Sequence, residues 1–345
     1  MAKEHINYPD TFTEFYTEQH IVDVKRIIDW LNVSKTRTQS HLVKQITYSA
    51  GSVNTLIKGV HPVDPSPVID VIIPIVEDKV VPVLAGEFIH TSTYRLVKMA
   101  CDRAKESHKF TIVAGSPGVG KTASLEQYKK DNPNTIYIRG TEDTTSGVVL
   151  DELIAALNIK GSTGKNKARK RKLIESKLEG SNRLIILDEA DKCAADAADP
   201  LRSISDQTGC GVVLAGNHKL REDIIIGDNR YDLINDRVAF WPSSIHAISL
   251  EDCSNLMLPY FTDDVELGDD FNVLVKYAHE VTKGSARKLL VALIPNALKF
   301  YQSQQKINKK PAITCGLFQA VAKQQMGIQN PPALPQKRCA VAIPA

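Results

Sequence analysis

One octapeptide constrains this chain more than anything else in it. Gly115-Ser116-Pro117-Gly118-Val119-Gly120-Lys121-Thr122 fits GxxxxGK[ST] and lies between a β-branched run, Phe110–Ala114 (FTIVA), and a helical one, ASLEQYKK. Strand, glycine-rich loop and helix, in that order, are what a phosphate cradle needs. The glycines let backbone N–H groups close round the phosphates without Cβ interference, and the helix directs its positive end at them. Lys121 then reaches the β/γ-phosphates, and the Thr122 hydroxyl ligates Mg²⁺. The nucleotide-binding residues expected here are Ser116, Pro117, Gly118, Val119, Gly120, Lys121 and Thr122, with ATP and Mg²⁺ as cofactors.

About 65 residues on stands Leu184-Ile185-Ile186-Leu187-Asp188-Glu189-Ala190-Asp191. Four aliphatics make a fully buried strand whose carboxylates emerge at its C-terminal end, where open α/β sheets place ligands. Asp188 is suited to bind Mg²⁺ through its water shell, and Glu189 to polarise an attacking water. Val212–Ala215 followed by Gly216-Asn217-His218 repeats the design, with Asn217 placed to position water beside a γ-phosphate. With Thr135–Ile138, these runs alternate with helical ones from Phe88 to about Leu250, which predicts a parallel α/β sheet with helices on both faces. Residues 251 to about 328 carry helical patterns without strands.

GSPGVGKT, LIILDEAD and VVLAGNHKL together resemble, in order and spacing, the matching segments of AAA+ ATPases. The branch most similar is that of the transposition regulators, the Mu B/TnsC family, over about Phe88 to Leu290. The resemblance implies a P-loop NTPase core, with Asp188 and Glu189 as the Walker B pair and Asn217 as sensor 1. It also implies a helical lid with a sensor 2 arginine at Arg287, within Gly284-Ser285-Ala286-Arg287-Lys288. The family's arginine finger, given to a neighbouring subunit's nucleotide, falls at Arg237, with Arg230 as the competing candidate and a surface salt bridge as the plainer reading of either. It further implies a homo-oligomer, as a helical filament or ring.

Two segments are candidates for DNA. Gln39–Gly59 resembles, without gaps, the helix-turn-helix of the Cro/repressor type. Leu42, Val53 and Leu56 supply a core between two short helices, and Ser49 can cap the second. Ser52, Asn54 and Thr55 are then left on the outer face, with Lys58 for phosphate. Thr47 replaces the family's turn glycine, and a helical module for protein contact is the alternative. The second candidate is Lys165-Asn166-Lys167-Ala168-Arg169-Lys170-Arg171-Lys172. Like charges at helical neighbours repel, so Lys165, Lys167, Arg169, Lys170, Arg171 and Lys172 read as contacts to a duplex backbone, independent of sequence. The alternative is a solvated face.

The remaining readings are coarser. The domains expected are residues 1–64, a helix-turn-helix domain; 65–87, an extended linker on account of its prolines and valines; 88–250, the nucleotide-binding domain; 251–328, the lid; and 329–345, a disordered Pro-rich tail. The tail keeps Leu334, Lys337, Arg338, Val341 and Ile343 as features suited to docking a transposase, with an inert end as the alternative. The six cysteines show no CxxC pair, which excludes a zinc-binding pattern and reads as free thiols. No apolar run reaches a membrane span and the first residues lack a signal peptide's core, so the expected location is cytoplasmic, without a membrane partner. A net charge of +3 demands no polyanion by itself. The function that the resemblance to the Mu B/TnsC family implies is an ATP-dependent regulator that oligomerises on double-stranded DNA, selects a target and activates a transposase, alongside any target-selector protein. A replication initiator or helicase loader, and a helix-turn-helix transcription regulator with an ATPase switch, are the rival readings.

Overall fold

A computed structural model describes residues 5–32, 38–44, 46–77, 88–160, 164, 166–194, 196–226, 231–261, 265–306 and 310–335. The chain divides into two compact units, residues 1–87 and 88–345.

In the first unit four helices share one apolar core: α1 (Glu18–Asn32), α2 (Gln39–Val43), α3 (Ala50–Ile57) and α4 (Ser66–Glu77). Ile27, Ile28 and Leu31 of α1 are fully buried with Leu42, Val53 and Leu56. Ser49 caps α3, its hydroxyl accepting from the Ser52 N–H at 3.2 Å. Thr47 is not among the described residues with left-handed backbone, so the turn does without the glycine. Helix α4 corrects the expectation of an extended linker. Pro67 sits in its first turn, where the missing N–H costs nothing, and Asp64 receives both the backbone N–H and the hydroxyl of Ser66. Val68, Ile69, Ile72 and Val76 then bury one face. At roughly 1.5–3 kcal/mol for each buried aliphatic, that face outweighs the roughly 3 kcal/mol cost of Pro74 in the helix interior.

The second unit is built on a five-stranded parallel sheet in the order β2-β3-β4-β1-β5. Its strands are β1 (Phe110–Ala114), β2 (Ile136–Arg139), β3 (Leu184–Asp188), β4 (Gly211–Gly216) and β5 (Val238–Phe240). Every residue of β1, β3 and β4 is buried, as continuous aliphatic runs require between two helical layers. Only β5 has no counterpart in the strand-like runs of the sequence; it is three residues long and half-exposed. The flanking helices are α5 (Ser92–Ser107), α6 (Lys121–Asp131), α7 (Ser146–Ala156), α8 (Lys167–Leu178), α9 (Asp199–Thr208), α10 (His218–Ile226) and α11 (Asp232–Asn235). Beyond the sheet, α12 (Leu250–Met257), α13 (Phe271–Thr282), α14 (Ala286–Lys288), α15 (Ile294–Lys306) and α16 (Cys315–Gln324) form an all-helical lid with its own core. Leu289–Leu293 is a π-helical turn joining α14 to α15.

Asp252 ties lid to sheet domain: buried in α12, it accepts from the backbone and hydroxyl of Ser92 at the start of α5. The tail needs a correction. The Pro332 carbonyl accepts from the Tyr277 hydroxyl at 2.9 Å and from the Gln319 amide at 3.1 Å. Two donors on the lid thus fix a stretch that has little apolar area to bury. Lys337, Arg338, Val341 and Ile343 lie outside the described residues. Among the described residues, no helix is long and apolar enough to cross a membrane.

Candidate nucleotide site

The loop between β1 and α6 opens at the C-terminal edge of the sheet. Gly118 and Gly120 adopt φ of +82° and +99°, in the left-handed region that suits glycine. A Cβ on Gly118 would also stand 2.5 Å from the Ser285 hydroxyl of the lid, and the Gly118 carbonyl accepts from the Arg287 N–H at 3.0 Å. The lid therefore closes directly on the loop. Between them lies a cavity of about 610 Å³. Pro117, Gly118, Gly120, Lys121, Thr122, Asp188, Glu189, Asn217 and Arg287 all line it. Ser116 and Val119 do not: the Ser116 hydroxyl pairs with His218 Nε2 at 3.0 Å, and Val119 is buried. These two shape the loop with their backbone.

Lys121 Nζ donates to the carbonyls of Gly115 at 2.7 Å and Ser116 at 3.1 Å. Burial pulls its pKa down, partly offset by Asp188 and Asp191. On the cavity floor Asp188 Oδ2 accepts from the Thr122 hydroxyl at 2.7 Å and the Tyr137 hydroxyl at 2.9 Å, while Oδ1 accepts from the Glu189 N–H at 2.8 Å. Glu189 has left-handed backbone (φ 55°), which turns its carboxylate out of the strand. It is clasped by Lys192 and by Arg139, whose Nη2 lies at 2.6 Å. Lys192 first, then Arg139, holds the Glu189 carboxyl below the usual range despite partial burial. Asn217 Oδ1 accepts from the Leu220 N–H at 3.2 Å and so caps α10. Its amide nitrogen is the group left to donate. Asp191 Oδ1 in turn fixes the Asn217 N–H at 3.1 Å.

Tyr137, Arg139, Asp191 and Lys192 carry no role in the motifs as read from sequence. Arg139 and Tyr137 share one face of β2, and the parallel register sets Arg139 beside Asp188. The alternation in Ile136-Tyr137-Ile138-Arg139 was a signal, once β2 is known to neighbour β3.

Arg237 stands apart from this cavity in its own chain. Its Nε donates to Asp206 at 2.9 and 3.0 Å, and Nη1 to the Leu233 carbonyl at 2.6 Å. The competing Arg230 lies outside the described residues.

The basic run divides by helix face. Lys165 lies outside the described residues. Lys170 is a correction: it is buried and paired with Asp151 of α7, so it faces the core and no phosphate. Lys167 donates to the Ser146 hydroxyl at 2.7 Å, with Asp196 at 3.9 Å. Arg171 is half-buried, its Nε enclosed and unpaired among the described atoms. Arg169 and Lys172 are exposed. Ser52, Asn54 and Thr55 of α3 are half-exposed, and Lys58, just past its end, is exposed. The Thr55 hydroxyl donates back to the carbonyls of Gly51 and Ser52, leaving it only an acceptor for a ligand.

A phosphate loop at the sheet's C-terminal edge, paired acidic residues at the end of the next strand but one, and a helical lid closing over them make a site shaped to hold a nucleotide. Residues 103–224 match the family model described as AAA domain. Among curated proteins the chain is 33% identical over 149 residues to the ATP-dependent target DNA activator B of Escherichia phage Mu, covering 41% of this chain and 46% of that one. It is 31% identical over 137 residues to the Mu-like prophage FluMu DNA transposition protein B of Haemophilus influenzae, covering 39% and 47%. The chain thus spans just under half the length of the curated relatives it matches. Among solved structures, the ORC2 protein of Aeropyrum pernix in its ADP form aligns with a TM-score of 0.48 at 13% identity over 67% of each chain.

Proposed function

We propose that this chain is an ATP-dependent, DNA-binding AAA+ ATPase of transposition. It assembles head to tail on duplex DNA as a filament or ring, and there selects a target and engages a transposase. The observation that carries this reading is the single cavity uniting Lys121, Thr122, Asp188, Glu189, Asn217 and Arg287, in a chain whose relatives are named a target DNA activator and a DNA transposition protein.

Thr122 Oγ1 and Asp188 Oδ2, 2.7 Å apart, are hard oxygen donors of the kind Mg²⁺ takes alongside substrate phosphates. When bound, the ion neutralises charge developing on the transferred phosphoryl group. Lys121 exchanges its carbonyl partners for the β/γ-phosphate oxygens, and Arg287 adds a second cation from the lid. Asn217 orients the attacking water. Glu189 is a weak base while Lys192 and Arg139 grip it, so hydrolysis requires these cations to let go. Arg237, released from Asp206, serves a neighbouring copy's nucleotide. A head-to-tail contact of this kind is heterologous, and it propagates as an open filament or closes as a ring. Arg169, Arg171, Lys172 and Lys167 meet the duplex backbone without reading sequence. Ser52, Asn54, Thr55 and Lys58 offer a second DNA face.

Electron microscopy on plain duplex DNA tests this reading. Ordered assemblies are expected with a non-hydrolysable ATP analogue and bare DNA without nucleotide. Equal coverage in both conditions contradicts it.

A further inference from the structure

Among the described residues the Asp188 carboxylate receives three hydrogen bonds, and one of them comes from the neighbouring strand β2. We infer that Tyr137, on β2, is a positioning residue for the divalent cation: it fixes the Asp188 carboxylate in the orientation that completes the metal site with Thr122. This rests on the nucleotide–Mg²⁺ reading above.

Three observations carry it. The Tyr137 hydroxyl donates to Oδ2 at 2.9 Å, the same oxygen that faces Thr122 Oγ1 at 2.7 Å. Tyr137 is itself firmly placed: its ring packs against the core formed by Val97, Leu125, Tyr128 and Ile186, with Lys129 Nζ 5.6 Å from the ring centre. Asp188 is only 1% exposed, so protein donors set the orientation of its carboxylate. A carboxylate rotates freely about its last bond unless its oxygens are held. Glu189 N–H holds Oδ1, and Tyr137 holds Oδ2 without depending on the loop that carries Thr122.

Tyr137 is absent from the lining of the cavity, so it acts through Asp188 and touches no nucleotide. Partners of metal-binding carboxylates placed this way typically alter metal affinity by about 10- to 100-fold when removed. Tyr137→Phe deletes only the hydroxyl and keeps the ring packing, whereas Tyr137→Leu disturbs the packing as well.

The test measures Mn²⁺ binding to the full chain with ADP by electron paramagnetic resonance, together with fluorescent-ADP affinity in EDTA. Tyr137→Phe is expected to weaken Mn²⁺ binding about 10-fold or more while metal-free ADP affinity and thermal stability stay near wild type. Unchanged Mn²⁺ affinity in Tyr137→Phe overturns the positioning role. So does a loss of ADP affinity in EDTA equal to the loss of Mn²⁺ affinity, which marks a general structural effect. Failure of the wild type to bind Mn²⁺ with ADP overturns the nucleotide–metal reading itself, and is thereby distinguished from failure of the Tyr137 role alone.

Discussion

The phosphate loop and helix α8 both present cations, yet they behave as opposites. In the loop, Lys121 is placed by backbone: left-handed Gly118 and Gly120, a buried strand before and a helix after leave its ammonium one course, into the cavity. On α8 the cations are consecutive in sequence but spread round a helix, so each meets a different environment. Lys170 turns to the core and Asp151, Lys167 to Ser146 and Asp196, and Arg169 and Lys172 to solvent. The difference is between a charge whose position is set by the path of the chain and charges whose roles are set by which helix face packs. The first kind works at short range against a bound anion; the second works as a field, shared and screened by salt.

If that contrast is right, the largest effect belongs to the loop. Lys121→Ala removes a charged hydrogen-bond donor from a half-enclosed site, and nucleotide affinity should fall roughly 10- to 100-fold, read by fluorescent-nucleotide titration. A loss below threefold would mean that the backbone N–H groups alone carry binding. Next in size, Arg169→Ala with Lys172→Ala should flatten the log–log salt dependence of DNA binding by roughly 0.9 for each phosphate the protein ceases to neutralise. An unchanged slope would return the exposed face of α8 to solvent. The smallest effect is expected from Lys170→Met, which keeps the stem and removes the charge. Its Asp151 partner is 58% exposed, so screening limits the stability cost to about 1 kcal/mol or less. The salt slope for DNA should not move. A flattened slope in Lys170→Met would break the assignment by helix face.

The same contrast explains what was legible in the sequence. Motif spacing located β1, β3 and β4 and the residues at their ends, because a buried parallel strand leaves its last polar residue little choice of direction. It also found Leu42, Val53, Leu56 and the Ser49 cap, which depend only on local helix geometry. It misjudged α4, because Pro67 falls in the first turn, where proline is tolerated, and the buried face offsets Pro74 in the interior. It misread Lys170, because the inward face of α8 is decided by α7, through Asp151. Tyr137, Arg139 and Lys192 escaped for a related reason. Their meaning lies in the partner they touch, and two of the three reach Asp188 or Glu189 from a neighbouring strand.

The central claim is that the state of the cavity governs the grip on DNA, and one time course tests it most directly. Wild type and Glu189→Gln are placed on labelled duplex DNA with a limited supply of ATP, and anisotropy is followed as the ATP is consumed. Removing the general base should slow hydrolysis at least about 100-fold while leaving the phosphate-binding groups in place. The wild type should therefore bind and then release, while Glu189→Gln stays on DNA. Release of both proteins in step, or binding by either that is indifferent to nucleotide, would contradict the account.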